Sequence, residues 1–314
     1  MVKILLFLIL FVLSIPLVFA ESDYDYLIYK SGNTIYAQNG HTGVVDYQST
    51  DLGYVLNHIN SPSNNDGLIY IKSGNYSQYT SFNLLNLTAT KKITIQGENL
   101  YSTRITLLNN SNWINSFSNT MLDRITIDGS HITNHNVIPL IMNSSYANIG
   151  RIWVIGPSIS QSTSFMVEGR QAVYANNNYF DNIIISNGDN CFVGLYVTES
   201  QFNNITCQGY LQRGILFYGD NNNFGKIDFS PLYPSSNVID LSLGGLQTSN
   251  HTTYANNFNE IAFTPNDISI NILDYSSQWN RPNVINHGSI DSPTLNIVCN
   301  SNKTCSALKI TNFP

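Results

Sequence analysis

The stretch Phe180-Asp181-Asn182-Ile183-Ile184-Ile185 is followed by Phe202-Asn203-Asn204-Ile205-Thr206-Cys207, and then by Phe224-Gly225-Lys226-Ile227-Asp228-Phe229. Ile183, Ile205 and Ile227 advance by 22 residues at each step. Val173, Leu195 and Phe217 form a second row at the same spacing. Weaker copies extend the pattern in both directions: Ile93/Ile95, Leu122/Ile125/Ile127, Ile149/Ile152/Val154 and Phe258/Ile261/Phe263. Their separations vary while the strand pattern persists, as when loops of different length interrupt a constant coil.

Alternating apolar residues turn one face of each strand inward. One coil cannot bury that face alone, but stacked coils can, each adding a strand about 4.8 Å above the last. Like residues then fall on like: an isoleucine column (Ile93, Ile125, Ile152, Ile183, Ile205, Ile227, Ile261) beside a phenylalanine column (Phe180, Phe202, Phe224, Phe258). Asn176-Asn177-Asn178, Thr198-Glu199-Ser200 and Asp220-Asn221-Asn222 recur in register as polar turns, and asparagine suits turns because it tolerates left-handed backbone. A β-sandwich also shows many short strands, but a fixed 22-residue period does not follow from it. The fold class expected is all-β, a single-stranded right-handed parallel β-helix.

Stacked coils need a cover at each end. Leu52, Val55, Leu56 and Ile59 sit at i, i+3, i+4 and i+7, which predicts an amphipathic capping helix near 50–61, with Thr50 as N-cap and Pro62 beyond it. Coils are expected from about 67 to 298 and a C-terminal cap over 299–314. Residues 1–20 have the marks of a removable export signal: Lys3, an apolar run Ile4 to Val18, and Val18-Phe19-Ala20 before Glu21; the alternative is an uncleaved N-terminal anchor, since the run is just long enough to span a bilayer.

Only 11% of residues are charged, and the net charge is −6. Without basic clusters nucleic acid is not an expected partner, nor is a membrane beyond the leader segment. Secretion or cell-surface display is expected. In an exported chain the four cysteines admit two disulfides, Cys299–Cys305 and Cys191–Cys207, with the alternative that Cys207 is a free core thiol. Neither pair has zinc-site spacing, so no metal is expected from them. Seven N-x-S/T sequons stand at Asn75, Asn86, Asn109, Asn143, Asn204, Asn250 and Asn302, candidate glycosylation sites.

Two segments carry a family resemblance. One runs from Thr34-Ile35-Tyr36-Ala37-Gln38-Asn39-Gly40-His41-Thr42-Gly43 through Asp46-Tyr47 and the helix. The other comprises Gly67 to Tyr76, Ile93-Thr94-Ile95-Gln96-Gly97-Glu98 and Thr103-Arg104-Ile105. Together they resemble the opening of pectate-lyase-superfamily (pectin-lyase-like) β-helix proteins, particularly exported ones of archaea and archaeal viruses. The resemblance implies the β-helix. It also brings a range of activities, since such scaffolds carry lyases, hydrolases, tailspikes and adhesins. Tailspike-type relatives trimerise along the rod, so the resemblance allows a trimer. It likewise brings calcium, which pectate lyases bind through clustered acids beside an arginine; no such Asp/Glu cluster stands in this sequence. The polygalacturonase signature is also missing: Asp-Asp is absent, and Asn286-His287-Gly288 and Gly188-Asp189-Asn190 only echo it.

If the columns point inward, the intervening residues point out in three rows. They are Lys92, Arg124, Arg151, Asn182, Asn204, Lys226, Glu260; then Thr94, Thr126, Trp153, Ile184, Thr206, Asp228, Ala262; then Gln96, Asp128, Ile155, Ser186, Gln208, Ser230, Thr264. Arg124, Arg151, Trp153, Asn182 and Asn204 form a candidate polysaccharide-binding strip: aromatics stack on sugar faces, amides bond hydroxyls, and arginine pairs with uronate or sulfate. The alternative is a plain solvated face of a structural or adhesive surface protein. For cleavage, Asp228 and Glu260 lie on adjacent coils with Lys226 beside them, a spacing open to a two-carboxyl lyase or hydrolase mechanism. His131 and His135 have metal-like spacing but sit in a Thr/Asn turn without acidic partners. Trp113 and Trp279 are candidates for loop packing or ligand contact.

Overall fold

The structure, a computed structural model, describes residues 24–59, 67–83, 92–115, 119–169, 175–233, 239–243, 255–263, 270–274, 283–289, 295–299 and 308–310. Residues 1–20, Pro62, Asn86, Val173, Asn250, Thr264, Trp279, Asn302 and Cys305 lie outside them.

The chain is a parallel β-helix. Among the described residues sixteen strands form one sheet and ten the other, and from coil to coil each strand pairs in parallel with its counterpart in the same sheet. The 22-residue repeat appears directly in the register: Tyr179–Ser186 pairs with Gln201–Gln208, and that strand with Asn223–Ser230, so Ile183, Ile205 and Ile227 are cross-strand partners. Leu308–Ile310 adds a further rung on Asn283–Ser289.

The phenylalanines stack as coins. Phe180, Phe202, Phe224 and Phe258 lie face to face with centroids 4.5, 4.6 and 4.5 Å apart and ring planes within 11°. Each is buried. Burial of such a ring stabilises by about 1.5–3 kcal/mol, and each ring pair by about 0.5–1.5 kcal/mol more. The polar turns are buried ladders. Asn178 Nδ2 donates to Ser144 O, Asn222 Nδ2 to Val197 O and Asn256 Nδ2 to Gly219 O, while the N–H groups of Ser200 and Asn222 donate to Asn222 Oδ1 and Asn256 Oδ1. The residue before each ladder position (Asn177, Glu199, Asn221, Ala255) has φ between 50° and 60°, the left-handed region. The amide thus satisfies backbone groups that the sharp corner removes from the sheets.

Two columns differ from expectation. Ile93 is opposite Thr120, and Ile95 is opposite Leu122. The continuous column is therefore Ile95, Leu122, Ile149, Phe180, Phe202, Phe224, Phe258, Ile285. The reason is a turn after Gly97 that splits this coil into Ile93–Gly97 and Thr103–Leu107, so Ile105 rather than Ile95 meets Ile127. In the second row Leu195 pairs with Tyr218, not Phe217, because a bulge at Tyr196 (φ 54°) adds one residue.

The N-terminal end is closed as expected by a helix, α1 (Leu52–Ile59), whose Leu52, Val55, Leu56 and Ile59 are buried. Its cap, however, is Asp51 rather than Thr50. Asp51 Oδ1 accepts the Gly53 and Tyr79 N–H groups, and Oδ2 accepts that of Thr80. A carboxylate with two oxygens can cap the helix and clamp the next coil together; one hydroxyl cannot. Strands Tyr26–Ser31, Thr34–Asn39 and Val45–Ser49 precede the helix; they are antiparallel to one another, and the first joins the large sheet by parallel pairing with Gly67–Ile71. Among the described residues no helix is long and apolar enough to cross a membrane.

Cys191 and Cys207 form a disulfide inside the barrel, with Cα atoms 5.8 Å apart, joining a strand of the small sheet to one of the large sheet. For Cys299 only the strand backbone is described, and Cys305 is not.

Candidate carbohydrate-binding face

The outer face of the large sheet is shaped by a corner at Arg124. With φ at 58° this arginine sits in left-handed space, turning Thr120–Asp123 into Ile125–Asp128 while its N–H still donates to Arg151 O at 2.7 Å. Asp123, buried under the corner, accepts the Arg151 N–H at 2.9 Å. Its carboxylate also lies 3.1 Å from Arg124 Nε, off the line of a hydrogen bond, and 3.7 Å from Arg151 Nε. Gly150 makes the space: a Cβ there would fall 2.4 Å from Asp123 Oδ1.

Splitting of the Ile93–Leu107 coil brings up a residue the repeat did not assign to the face. Arg104, not Thr94, is opposite Thr126, and Lys92 and Gln96 fall outside the three expected rows; Gln96 is opposite Asp123. Arg104 Nε and Nη2 donate to Asp128 Oδ2 at 3.0 and 2.6 Å. Asp128 is thus an outward carboxylate sealed from solvent by its arginine, with 2% of its side chain exposed. Burial works against its charge. Hydrogen bonds from Ser130 and Arg104 outweigh that and hold the carboxyl below the usual range.

Thr126 Oγ donates to Leu100 O at 2.6 Å, pinning the 98–101 turn over the sheet. The turn carries Tyr101, which is 69% exposed and meets the Trp153 ring edge-on at 6.0 Å. Trp153 Nε1 donates to Ser186 Oγ at 2.7 Å, and Gln208 Nε2 donates to the same oxygen at 2.7 Å. An indole held at its nitrogen and packed against a second ring is a fixed aromatic surface. Beside it the register runs Arg151, Asn182, Asn204, Lys226, Glu260, which puts four of the five expected strip residues on this face, with Arg124 at its corner.

Lys226, Asp228 and Glu260 also converge. Lys226 Nζ is 3.1 Å from Asp228 and 3.9 Å from Glu260, and all three side chains are about two-fifths exposed, at 41–43%. The hydrogen bond with Asp228, then its charge and that of Glu260, push the ammonium above its usual range. One lysine thus engages both carboxylates on an open surface. The calcium that the family resemblance implies does not fit. Among the described residues no three His, Cys, Asp or Glu side chains group as metal ligands, and Asp123, Asp128, Asp228 and Glu260 are each taken up by arginine or lysine.

The other candidates scatter. Trp113 is buried against Phe82 in the core, which removes it as a ligand platform. His131 and His135 are exposed in their turn. His41 pairs with Asp25 at 3.0 Å, and His58 Nδ1 lies 2.8 Å from Tyr54 O. Asn75, Asn109 and Asn204 are exposed. The Asn143 amide oxygen is buried without a partner, and the Asn109 sequon's Ser111 is buried, donating to Gln78 O.

No family model and no curated protein matches the chain. Solved structures similar to it include Escherichia coli YbhC, with 13% identity and TM-score 0.44 over 81% of this chain and 70% of that one. A pectin methylesterase in complex with a hexasaccharide is 9% identical with TM-score 0.45, over 87% of this chain and 81% of that one. The PL6 family alginate lyase AlyGC is 10% identical with TM-score 0.34, over 80% of this chain but 36% of that one.

Proposed function

We propose that the protein is an exported β-helix of the pectin-lyase-like type that binds polysaccharide or surface glycan without cleaving it. The observation that carries this reading is Trp153: a large aromatic on the outer face, anchored through Ser186 and packed against exposed Tyr101, with Arg151 two residues before it and Asn182 and Asn204 in register with Arg151 on the next two strands. Such a surface offers a stacking platform with amide donors at strand spacing, the recognition chemistry of sugars. The interior disulfide supports export, because such bonds persist in oxidising compartments. Absence of cleavage is favoured by the Lys226 cluster, where one ammonium engages both carboxylates and none stands apart to serve as acid or nucleophile.

The test is a glycan array spanning neutral and acidic polysaccharides, probed with the full-length chain and with Trp153→Ala and Tyr101→Ala. Binding that both substitutions weaken supports the reading; an empty array sinks it. Release of reducing ends or unsaturated products from any bound polysaccharide would show that the face is catalytic.

A further inference from the structure

We infer that the face recognises an uncharged glycan chain rather than a uronate or sulfated one. This rests on the glycan-binding reading above and narrows it. The strip has four cations, Arg104, Arg124, Arg151 and Lys226, and each lies within 4.0 Å of a carboxylate of the same face. The carboxylates are also four: Asp123, shared by Arg124 and Arg151; Asp128, held by Arg104; and Asp228 and Glu260, both on Lys226. These eight charges sum to zero, and exposed Glu98 on the 98–101 turn adds a negative one beside them.

A uronate would meet a carboxylate already placed at each cation: hydrogen-bonded to Arg104 and Lys226, and 3.1 and 3.7 Å from the Nε atoms of Arg124 and Arg151. It would then sit beside that carboxylate, and like charges in contact disfavour binding. Asp128 cannot move aside into water, since it is buried under Arg104 and bonded to Ser130. The whole chain carries −6, which adds long-range repulsion to any polyanion. Beside these ion pairs the face presents neutral groups: the Trp153 ring, Tyr101, and the Asn182 and Asn204 amides. These suit pyranose faces and hydroxyls.

The experiment titrates the full-length chain with galactan, mannan and β-glucan oligosaccharides beside polygalacturonate and alginate oligosaccharides, at about 0.05 and about 0.5 M NaCl. A neutral oligosaccharide should bind with affinity changing less than about twofold over that range, because no counterions are exchanged. Trp153→Ala should weaken it by about tenfold, of the size of a lost aromatic contact. In the Asp228→Asn, Glu260→Gln double variant Lys226 is freed, and polygalacturonate binding should rise about tenfold at low salt. Tighter binding of polygalacturonate or alginate by the unaltered chain, falling steeply with salt, overturns the inference while leaving glycan binding intact. No gain in the double variant also counts against it. Binding to neither class removes the glycan-binding reading itself.

Discussion

The coils spanning Tyr179–Ser230 and the coil spanning Ile93–Leu107 use the same stacking differently. In the first, each strand repeats its neighbour residue for residue, and phenylalanines stack with ring planes within 6°. In the second, a turn after Gly97 splits the strand, shifts the column and lifts Tyr101 and Arg104 onto the outer face. Regular coils supply stability and the row of Asn182, Asn204 and Lys226, while the irregular coil adds Tyr101 and Arg104, because only a departure from the repeat can place residues that the repeat does not contain. The Arg124 corner, with its left-handed backbone and the buried Asp123 beneath, is a second such departure.

Substitutions should separate the two regions. The largest effect is expected from Phe202→Ala, which removes the ring stacked on both sides by Phe180 and Phe224. Denaturant unfolding should show a loss of about 3–5 kcal/mol, and a much smaller value would mean that the stacks above and below close over the gap. Asn222→Ala comes next. Its amide bonds Val197 O, Asp220 O and Asn256 Oδ1 in the buried turn ladder. Leaving those acceptors unpaired should cost about 2–3 kcal/mol in the same measurement.

In the irregular region, Asp128→Asn should cost about 1–3 kcal/mol near neutral pH. The sign of its pH dependence follows from the depressed folded-state carboxyl: the unfolded chain, with a carboxyl near 3.9, binds the proton more readily than the folded one. The contribution is therefore complete above that value and lost as pH falls through the lower folded value. Unfolding curves of the two proteins should converge in acid; a constant gap would show that Arg104 does not depend on the charge of Asp128. Smallest is Lys226→Ala. Its ion pairs are open to solvent, so stability should change by less than about 1 kcal/mol.

How far the sequence reached follows the same division. Where the spacing stays at 22, alternation, inward columns and turn ladders were legible, since the period itself reports that identical positions stack. Arg104 and Tyr101 were not legible as face residues. The 32-residue interval from Ile93 to Ile125 conceals the turn, and Thr103-Arg104-Ile105 alternates like any strand. The Asp51 cap was missed for a related reason: Thr50 and Asp51 are both good cap residues, and only the docked 79–80 backbone selects the one with two oxygens.

The sequence by itself determined the coil, because burial of alternating apolar side chains and the tolerance of asparagine for corners are local properties that repetition makes visible. It also determined the outward row of the regular coils, Asn182, Asn204 and Lys226. The tertiary structure alone decided how the charged residues of the face are paired. Arg104 reaches Asp128 from 24 positions away, Arg124 and Arg151 share Asp123, and Lys226 joins Asp228 to Glu260 on the next coil. Charge pairing depends on distances of 3 to 4 Å across strands, and the register that sets them is a property of the stacked chain. A row of basic residues in the sequence is, in the folded protein, a set of ion pairs with carboxylates of the same and neighbouring strands.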